Sequence, residues 1–115
     1  MSYKIYGMGF SKVYPMLVAK AERKDRSRAE VDQVTTWLTG YSSTTIEEAL
    51  SYEVSYGDFF RQAPDLNPKR HLITGSICGV KLTEIKEPLM QDIRYLDKLV
   101  DELAKGRPME KVIRS

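Results

Sequence analysis

The chain has 115 residues, of which 42% are hydrophobic and 30% are charged, and its formal net charge is +2. This composition is typical of a soluble globular protein and argues against intrinsic disorder. The length leaves no room for a second core, so we expect residues 1–115 to form a single helical domain. The small net charge does not by itself indicate a nucleic-acid partner.

The sequence also bears on the compartment. No apolar run is long enough to span a membrane, and the first ten residues lack the apolar segment of a signal peptide. Cys78 is the single cysteine, which excludes an internal disulfide. We therefore expect a cytoplasmic protein with no membrane partner.

The N-terminal part predicts an arm followed by two helices. The first ten residues, rich in tyrosine and glycine, favour a short extended N-terminal arm or a short strand packed on the core. A first helix is expected to begin near Tyr14, because Pro15 is tolerated in a first turn, where its missing N–H group costs nothing. A second helix is expected after Ser27, which forms a capping-box pattern with Glu30. Gly40 should end this helix in the left-handed conformation.

The middle of the chain gives weaker signals. A capping box at Thr44 with Glu47, or one residue later, predicts another helix, which Gly57 should break. Residues 70–82 contain β-branched residues and glycines that fit either short strands or short helical turns. We favour helical turns there, because helix signals outnumber strand signals in the rest of the chain.

The strongest pattern is a helix that begins at Pro88 and ends at Gly106. Its apolar residues recur at steps of three and four: Leu89, Ile93, Leu96, Val100 and Leu103. The sequence therefore predicts an all-α fold, a compact bundle of short helices around one long C-terminal helix. The predicted core includes Trp37, Leu38, Leu96 and Val100.

The face of this last helix is wider than one seam. Tyr95 and Leu99 extend the apolar stripe, and a small domain has only short helices to lay against it. Two-fold dimers are the commonest oligomers. We therefore expect most of the face to be covered within the chain and part of it to form a homodimer through the C-terminal helix.

One charge feature stands out, a cluster of basic residues at the end of the first predicted helix and in the turn after it. The cluster consists of Lys20, Arg23, Lys24, Arg26 and Arg28. Cations near the C-terminal end of a helix complement the helix dipole, which favours a structural role. The alternative is a weak contact with nucleic acid, although a protein that reads DNA is normally more basic overall.

A second candidate is the loop in which Asn67, Arg70 and Thr74 can line a small pocket. Asn67 is explained more simply as a helix cap before Pro68. The lone histidine and the lone cysteine can in principle form an activated thiolate, but a single cysteine among apolar neighbours is far more often a buried structural residue. A structural zinc site would need several carboxylates besides these two residues. We therefore expect no catalytic residue, no metal and no cofactor.

Five segments of the chain are distinctive: VYPMLVAKAERK, EVDQVTTWLTGY, FFRQAPDLNP, LITGSICGV and EPLMQDIRYLDKLVDELAKG. Together they resemble a family of small bacterial proteins known as domain of unknown function number two thousand two hundred. The resemblance runs from about Tyr3 to Arg114. Glu87 and Asp25 depart from the family pattern, in which aspartate and glycine are common at these positions. The resemblance implies a bacterial cytoplasmic protein and brings no activity with it.

The residues and the resemblance lead to one interpretation. We expect a small helical binding or protein-interaction module without catalytic activity. The alternative is a weak nucleic-acid-binding protein that uses the basic cluster between Lys20 and Arg28. An enzyme that uses Cys78 or the loop from Asn67 to Arg70 is the least favoured hypothesis.

Overall fold

A long helix, α6 (Pro88–Ala104), runs through the centre of the fold. The computed structural model describes residues 4–114 of the chain. The helices with the most contacts to α6 are α2 (Phe10–Glu22), α3 (Arg28–Thr39) and α5 (Tyr56–Arg61). This arrangement of shorter helices around a long C-terminal helix confirms the predicted all-α fold class.

The remaining helices are single or double turns. Three lie against a larger neighbour: α1 (Lys4–Gly7) against α5, α4 (Ser43–Ala49) against α3, and α7 (Met109–Val112) against α6. α7 thus gives the segment after α6 one further helical turn. Within residues 4–114, no helix is both long enough and apolar enough to cross a membrane.

The N-terminal segment differs from its prediction. Lys4–Gly7 is a helical turn and not an extended arm, and residues 1–3 of the predicted arm lie outside the described residues. α2 begins at Phe10, earlier than Tyr14, because the Phe10 amide donates to the Val54 carbonyl at 2.9 Å and its ring is buried. Pro15 therefore lies inside the helix, where it removes one backbone hydrogen bond.

The caps of α3 follow the prediction closely. The Ser27 hydroxyl accepts from the Glu30 amide at 3.2 Å, and the Glu30 carboxylate accepts from the Ser27 amide at 3.1 Å. Gly40 ends the helix with a φ of 83°. A side chain at Gly40 would also place its Cβ only 2.8 Å from the Cβ of Asp65. Glycine is therefore required both for the left-handed turn and for the close approach of the next loop.

The predictions for α4 and Gly57 were wrong in detail. The cap of α4 is Ser42, whose hydroxyl accepts from the Thr45 amide at 3.1 Å, and not Thr44 or Thr45. Gly57 does not break a helix but lies inside α5. A Cβ at Gly57 would come within 3.1 Å of Tyr6, so the residue is small because α1 packs closely on α5.

Residues 70–82, expected to be helical, contain a β-hairpin instead. β1 (Ser76–Ile77) and β2 (Val80–Lys81) pair antiparallel around a two-residue loop. Both loop residues, Cys78 and Gly79, have positive φ, which matches the twist of a tight hairpin. The expectation holds at the two 3₁₀ helices that flank the hairpin: Pro68–Leu72, which Asn67 caps as predicted, and Leu82–Glu84.

The apolar face of α6 is covered within the chain. Leu96, Leu99, Val100 and Leu103 are 0% exposed, and Tyr95 is also buried. Leu99 and Tyr95 were expected to contribute to a dimer interface, but both already lie in the core. The homodimer remains a prediction, and Leu99 and Tyr95 are not available to it. Trp37 was expected in the core but is only partly buried, because it lies beside the buried stripe of α3.

Two buried tyrosines differ in how their hydroxyls are satisfied. The Tyr14 hydroxyl donates to Asp32 at 2.5 Å and lies 3.2 Å from the Thr35 hydroxyl. The Tyr56 hydroxyl has no hydrogen-bond partner among the described residues. Burial raises the pKa of both phenols well above the ordinary value. A buried hydroxyl without a partner destabilises the fold relative to an apolar group of the same shape.

The central position of α6 predicts a large cost for Leu96→Ala. Removing a fully buried leucine side chain should lower the free energy of unfolding by about 2–5 kcal/mol. Leu72→Ala is the control, because Leu72 is 57% exposed. Urea unfolding of both variants tests the prediction, and equal midpoints would show that α6 is not the centre of the core.

The two tyrosines predict opposite responses to phenylalanine. Tyr14→Phe should lower the free energy of unfolding by about 1.5–3 kcal/mol, because Asp32 loses a hydrogen bond to its charged carboxylate. Tyr56→Phe should leave stability unchanged or raise it by up to about 1 kcal/mol. Thermal unfolding of both variants measures the difference. A Tyr56→Phe protein as unstable as Tyr14→Phe would mean that the Tyr56 hydroxyl has a partner.

Candidate functional site

A groove runs along the surface between α3 and α4. It consists of two adjoining clefts of about 520 and 690 Å³, which share Ala29, Asp32 and Ser43. A smaller cleft of about 200 Å³ shares Arg28 with the first of them and extends toward α2. We call these three clefts the α3/α4 groove.

The groove is open because small residues line it. The chain turns back after Gly40, so that the start of α4 lies beside α3. Small side chains from both helices form the walls: Ala29, Thr36, Ser42, Ser43 and Thr44. The end toward α2 carries three apolar residues, Pro15, Val18 and Leu50, beside the charged Glu22 and Arg28. An extended or helical segment can therefore approach the backbone closely along most of the groove.

The ionisable residues of the groove are mostly acidic. Arg28 is the one basic residue among those that line it. Four carboxylates also line the groove, those of Glu22, Asp32, Glu47 and Glu48. The chain as a whole carries a formal charge of +2. The groove is thus an acidic surface on a weakly basic protein.

A hydrogen-bonded network connects the groove to the core. Asp32 accepts from the fully buried Tyr14 hydroxyl through one carboxylate oxygen, and its other oxygen lies 3.6 Å from the Arg28 Nε. The Arg28 guanidinium also donates to Glu47 on α4. This hydrogen bond raises the pKa of Arg28. Arg28 therefore joins α3 to α4 above a carboxylate that the core holds in place.

The predicted basic cluster does not form one surface. Lys20 pairs with Asp101 of α6 at 3.2 Å. Arg26 donates to the Leu103 carbonyl at 3.2 Å and to the Arg107 carbonyl at 2.7 Å, which lie at the C-terminal end of α6 and just beyond it. Both side chains thus hold α2 and the following turn against the central helix.

The other members of the cluster point to different roles. Arg28 lies in the groove and pairs with two carboxylates. Arg23 and Lys24 are exposed, and neither makes an ion pair with a residue in the described part of the chain. Within the cluster, as described in residues 4–114, these are the two cations left free for an external anion.

The second predicted site, the loop at Asn67 and Arg70, is part of the scaffold. Arg70 donates to Asp92 of α6 at 2.9 Å and to the Asn67 carbonyl at 3.0 Å. The Asn67 side chain accepts from the Lys69 amide as a cap. Thr74 lines a separate depression beside the hairpin. The pocket predicted from Asn67, Arg70 and Thr74 is therefore not assembled.

The lone histidine and the lone cysteine lie in different surroundings. His71 Nδ1 lies 3.1 Å from the Tyr95 hydroxyl. Cys78 was expected to be buried, but it is exposed at the tip of the hairpin. Within residues 4–114, no three potential metal ligands among histidine, cysteine, aspartate and glutamate are grouped to hold an ion.

Of the groove residues, Arg28 was predicted only as a member of the basic cluster, and the carboxylates around it were not predicted as a site. The spacing of Arg28 and Asp32, four residues apart on a helix, is a signal that was available. Glu47, or Glu48 one residue later, was considered only as the second member of a capping box. Their place beside Arg28 follows from the packing of α4 on α3, which no local pattern encodes.

The sequence and the fold both match known proteins. Residues 4–114 match the family described as "Uncharacterized protein conserved in bacteria (DUF2200)". The crystal structure of uncharacterized protein SP1917 superposes with a TM-score of 0.94 and is 55% identical in sequence, over 97% of this chain and 92% of that chain. A comparison with curated proteins gave no match. The resemblance seen in the sequence is confirmed: the chain belongs to the DUF2200 family of proteins conserved in bacteria.

Proposed function

We propose that this protein is a small helical interaction module that binds a basic, amphipathic segment of a partner protein in the α3/α4 groove. One observation carries the proposal: four carboxylates and one arginine line a groove with an apolar end, on a chain of net positive charge. Complementary charge selects partners and steers their approach. A basic segment therefore fits this groove better than an acidic one.

The shape of the groove favours a protein segment. An amphipathic helix binds such grooves by placing its apolar face on apolar residues and its charges along the rim. Pro15, Val18 and Leu50 supply the apolar end.

The chemistry of the groove favours binding over catalysis. The Tyr14 phenol is fully buried, and burial raises its pKa, so it stays protonated near neutral pH. Asp32 accepts the hydrogen bond of this phenol and faces Arg28. A general base needs a free carboxylate or a phenol of lowered pKa, and this network contains neither; the unpaired Glu22 and Glu48 lie outside it. The network instead fixes charges in position, as a recognition surface requires.

Charge reversal in the groove tests the proposal. Glu22 and Glu48 line the groove, are exposed, and form no ion pair within the described residues, so Glu22→Lys/Glu48→Lys leaves the Arg28 network intact. A fluorescent amphipathic peptide of leucine and arginine serves as the probe. The double variant should bind it roughly tenfold more weakly in fluorescence anisotropy, because two attractive charges become repulsive.

The matched control is Glu84→Lys/Glu110→Lys, which makes the same charge change at exposed positions outside the groove. Its affinity for the peptide should stay close to that of the parent protein. Equal weakening of the two variants would show a non-specific charge effect. No binding of the peptide to the parent protein would contradict the proposed function.

A second candidate function is a weak contact with nucleic acid, which the exposed and unpaired Arg23 and Lys24 support. If the contact uses the two free cations of the cluster, the logarithm of the affinity should fall with the logarithm of salt concentration with a slope of about −2. Arg23→Ala/Lys24→Ala should abolish binding to mixed-sequence DNA, whereas Lys81→Ala/Lys86→Ala should not. A steeper slope, or sequence-selective binding, would contradict this weak electrostatic contact.

A further inference from the structure

We propose that Asp32 and Glu47 form a guanidinium subsite within the groove, and that Arg28 of the chain itself fills this subsite until an arginine of the bound segment replaces it. The inference deepens the proposed function and rests on it. It assigns Arg28 the role of an internal competitor, and it names arginine as the residue that the groove selects.

The geometry shows a guanidinium already seated between two carboxylates. Arg28 contacts Asp32 of its own helix through Nε and Glu47 of α4 through Nη2. A planar guanidinium presents donors in several directions and can bridge two carboxylates, whereas an ammonium group acts as a compact point charge. The pair of acidic side chains therefore accepts the shape of an arginine head group.

One of the two carboxylates is held in place from below. The Asp32 Oδ1 atom accepts a hydrogen bond from the Tyr14 hydroxyl at 2.5 Å. The same hydroxyl is hydrogen-bonded to the hydroxyl of the buried Thr35. The Asp32 side chain is only 16% exposed. This support orients Asp32 toward the groove before any ligand arrives. A preorganised acceptor lowers the ordering cost of binding.

The other two groups are free enough to move. The side chains of Arg28 and Glu47 are 39% and 65% exposed. Ion pairs this exposed contribute little to stability, because water screens the charges and the side chains lose freedom. Arg28 is therefore easy to displace, and the carboxylate of Glu47 can close over an incoming head group. Arg28 neutralises the carboxylates of Asp32 and Glu47 while the groove is empty, and an arginine of the partner makes equivalent contacts with them when it binds.

The competing explanation is that Arg28 is only a structural link between α3 and α4. In that case, removing Arg28 would lower stability without changing the preference for arginine over lysine. An internal competitor instead lowers the apparent affinity of the ligand by the fraction of molecules in which the subsite is filled. The two explanations therefore differ in a measurable ratio of affinities.

The experiment compares the parent protein with Arg28→Gln, using two amphipathic peptides that differ only in carrying arginine or lysine. Arg28→Gln should bind the arginine peptide about three- to fivefold more tightly, the factor by which an exposed ion pair can compete. The lysine peptide should gain less. Arg23→Gln is the matched control, since it removes the same charge from an exposed position outside the groove lining; it should shift both peptides equally and slightly.

Other outcomes decide against the inference. If Arg28→Gln tightens both peptides by the same factor, only a charge has been removed and the subsite is wrong. Glu47→Gln should reduce the preference for arginine, and an unchanged preference would also overturn the subsite. If Arg28→Gln does not fold, Arg28→Lys replaces it, because lysine keeps the charge but cannot bridge two carboxylates as a guanidinium does. Arg28→Lys should also prefer the arginine peptide over the lysine peptide more strongly than the parent protein does. An unchanged ratio of the two affinities would overturn the inference.

A smaller probe separates this inference from the proposed function. Methylguanidinium carries the head group without a peptide, and its binding to Arg28→Gln can be followed by NMR shifts at Asp32 and Glu47. Saturable shifts are expected in this variant, and the parent protein should need about three- to fivefold more methylguanidinium for the same shifts. Their absence would overturn the subsite even if peptides bind, and their presence without peptide binding would overturn the proposed function alone.

Discussion

The burial of α6 on all its apolar faces is the constraint on which the rest of the fold depends. Its stripe needs neighbours on several sides, and α2, α3 and α5 supply them. Both ends are fixed as well: Tyr6 donates to Glu87 at 2.5 Å before the helix, and Arg114 donates to the buried Glu102 at 2.6 Å near its end. Once these helices face inward, the outer side of α3 is left for α4 and the groove.

Tyr14 couples the core to the groove. Its ring stacks on Phe10 at a centroid distance of 4.8 Å, and Phe10 in turn stacks on Phe59 at 4.1 Å. The same side chain donates through its hydroxyl to Asp32 at the groove floor. A change in the packing of α2 on α5 would therefore move the acceptor that faces Arg28. The position of the proposed recognition surface is set by the aromatic core and not by the loops around it.

Local sequence patterns predicted the parts of the fold that depend on local physics. The α6 stripe, the Ser27 capping box and the Gly40 turn are each encoded within a few residues. The hairpin at 76–81 was missed because two-residue strands leave almost no alternation to detect. Gly57 was misread because its small size serves a contact with Tyr6, which is distant in sequence.

The groove was not predicted for a related reason: the sequence does not show which charged side chains pair with one another in the fold. Three basic side chains hold other parts of the chain against α6. Lys20 pairs with Asp101, Arg26 donates to backbone carbonyls, and Arg70 pairs with the nearly buried Asp92. Cations held in this way no longer balance acids elsewhere on the surface, because exposed charges farther apart than about 10 Å are largely screened. Helix α4 brings two glutamates to the groove and no base. A chain of net positive charge thus presents an acidic groove, which no count of residues reveals.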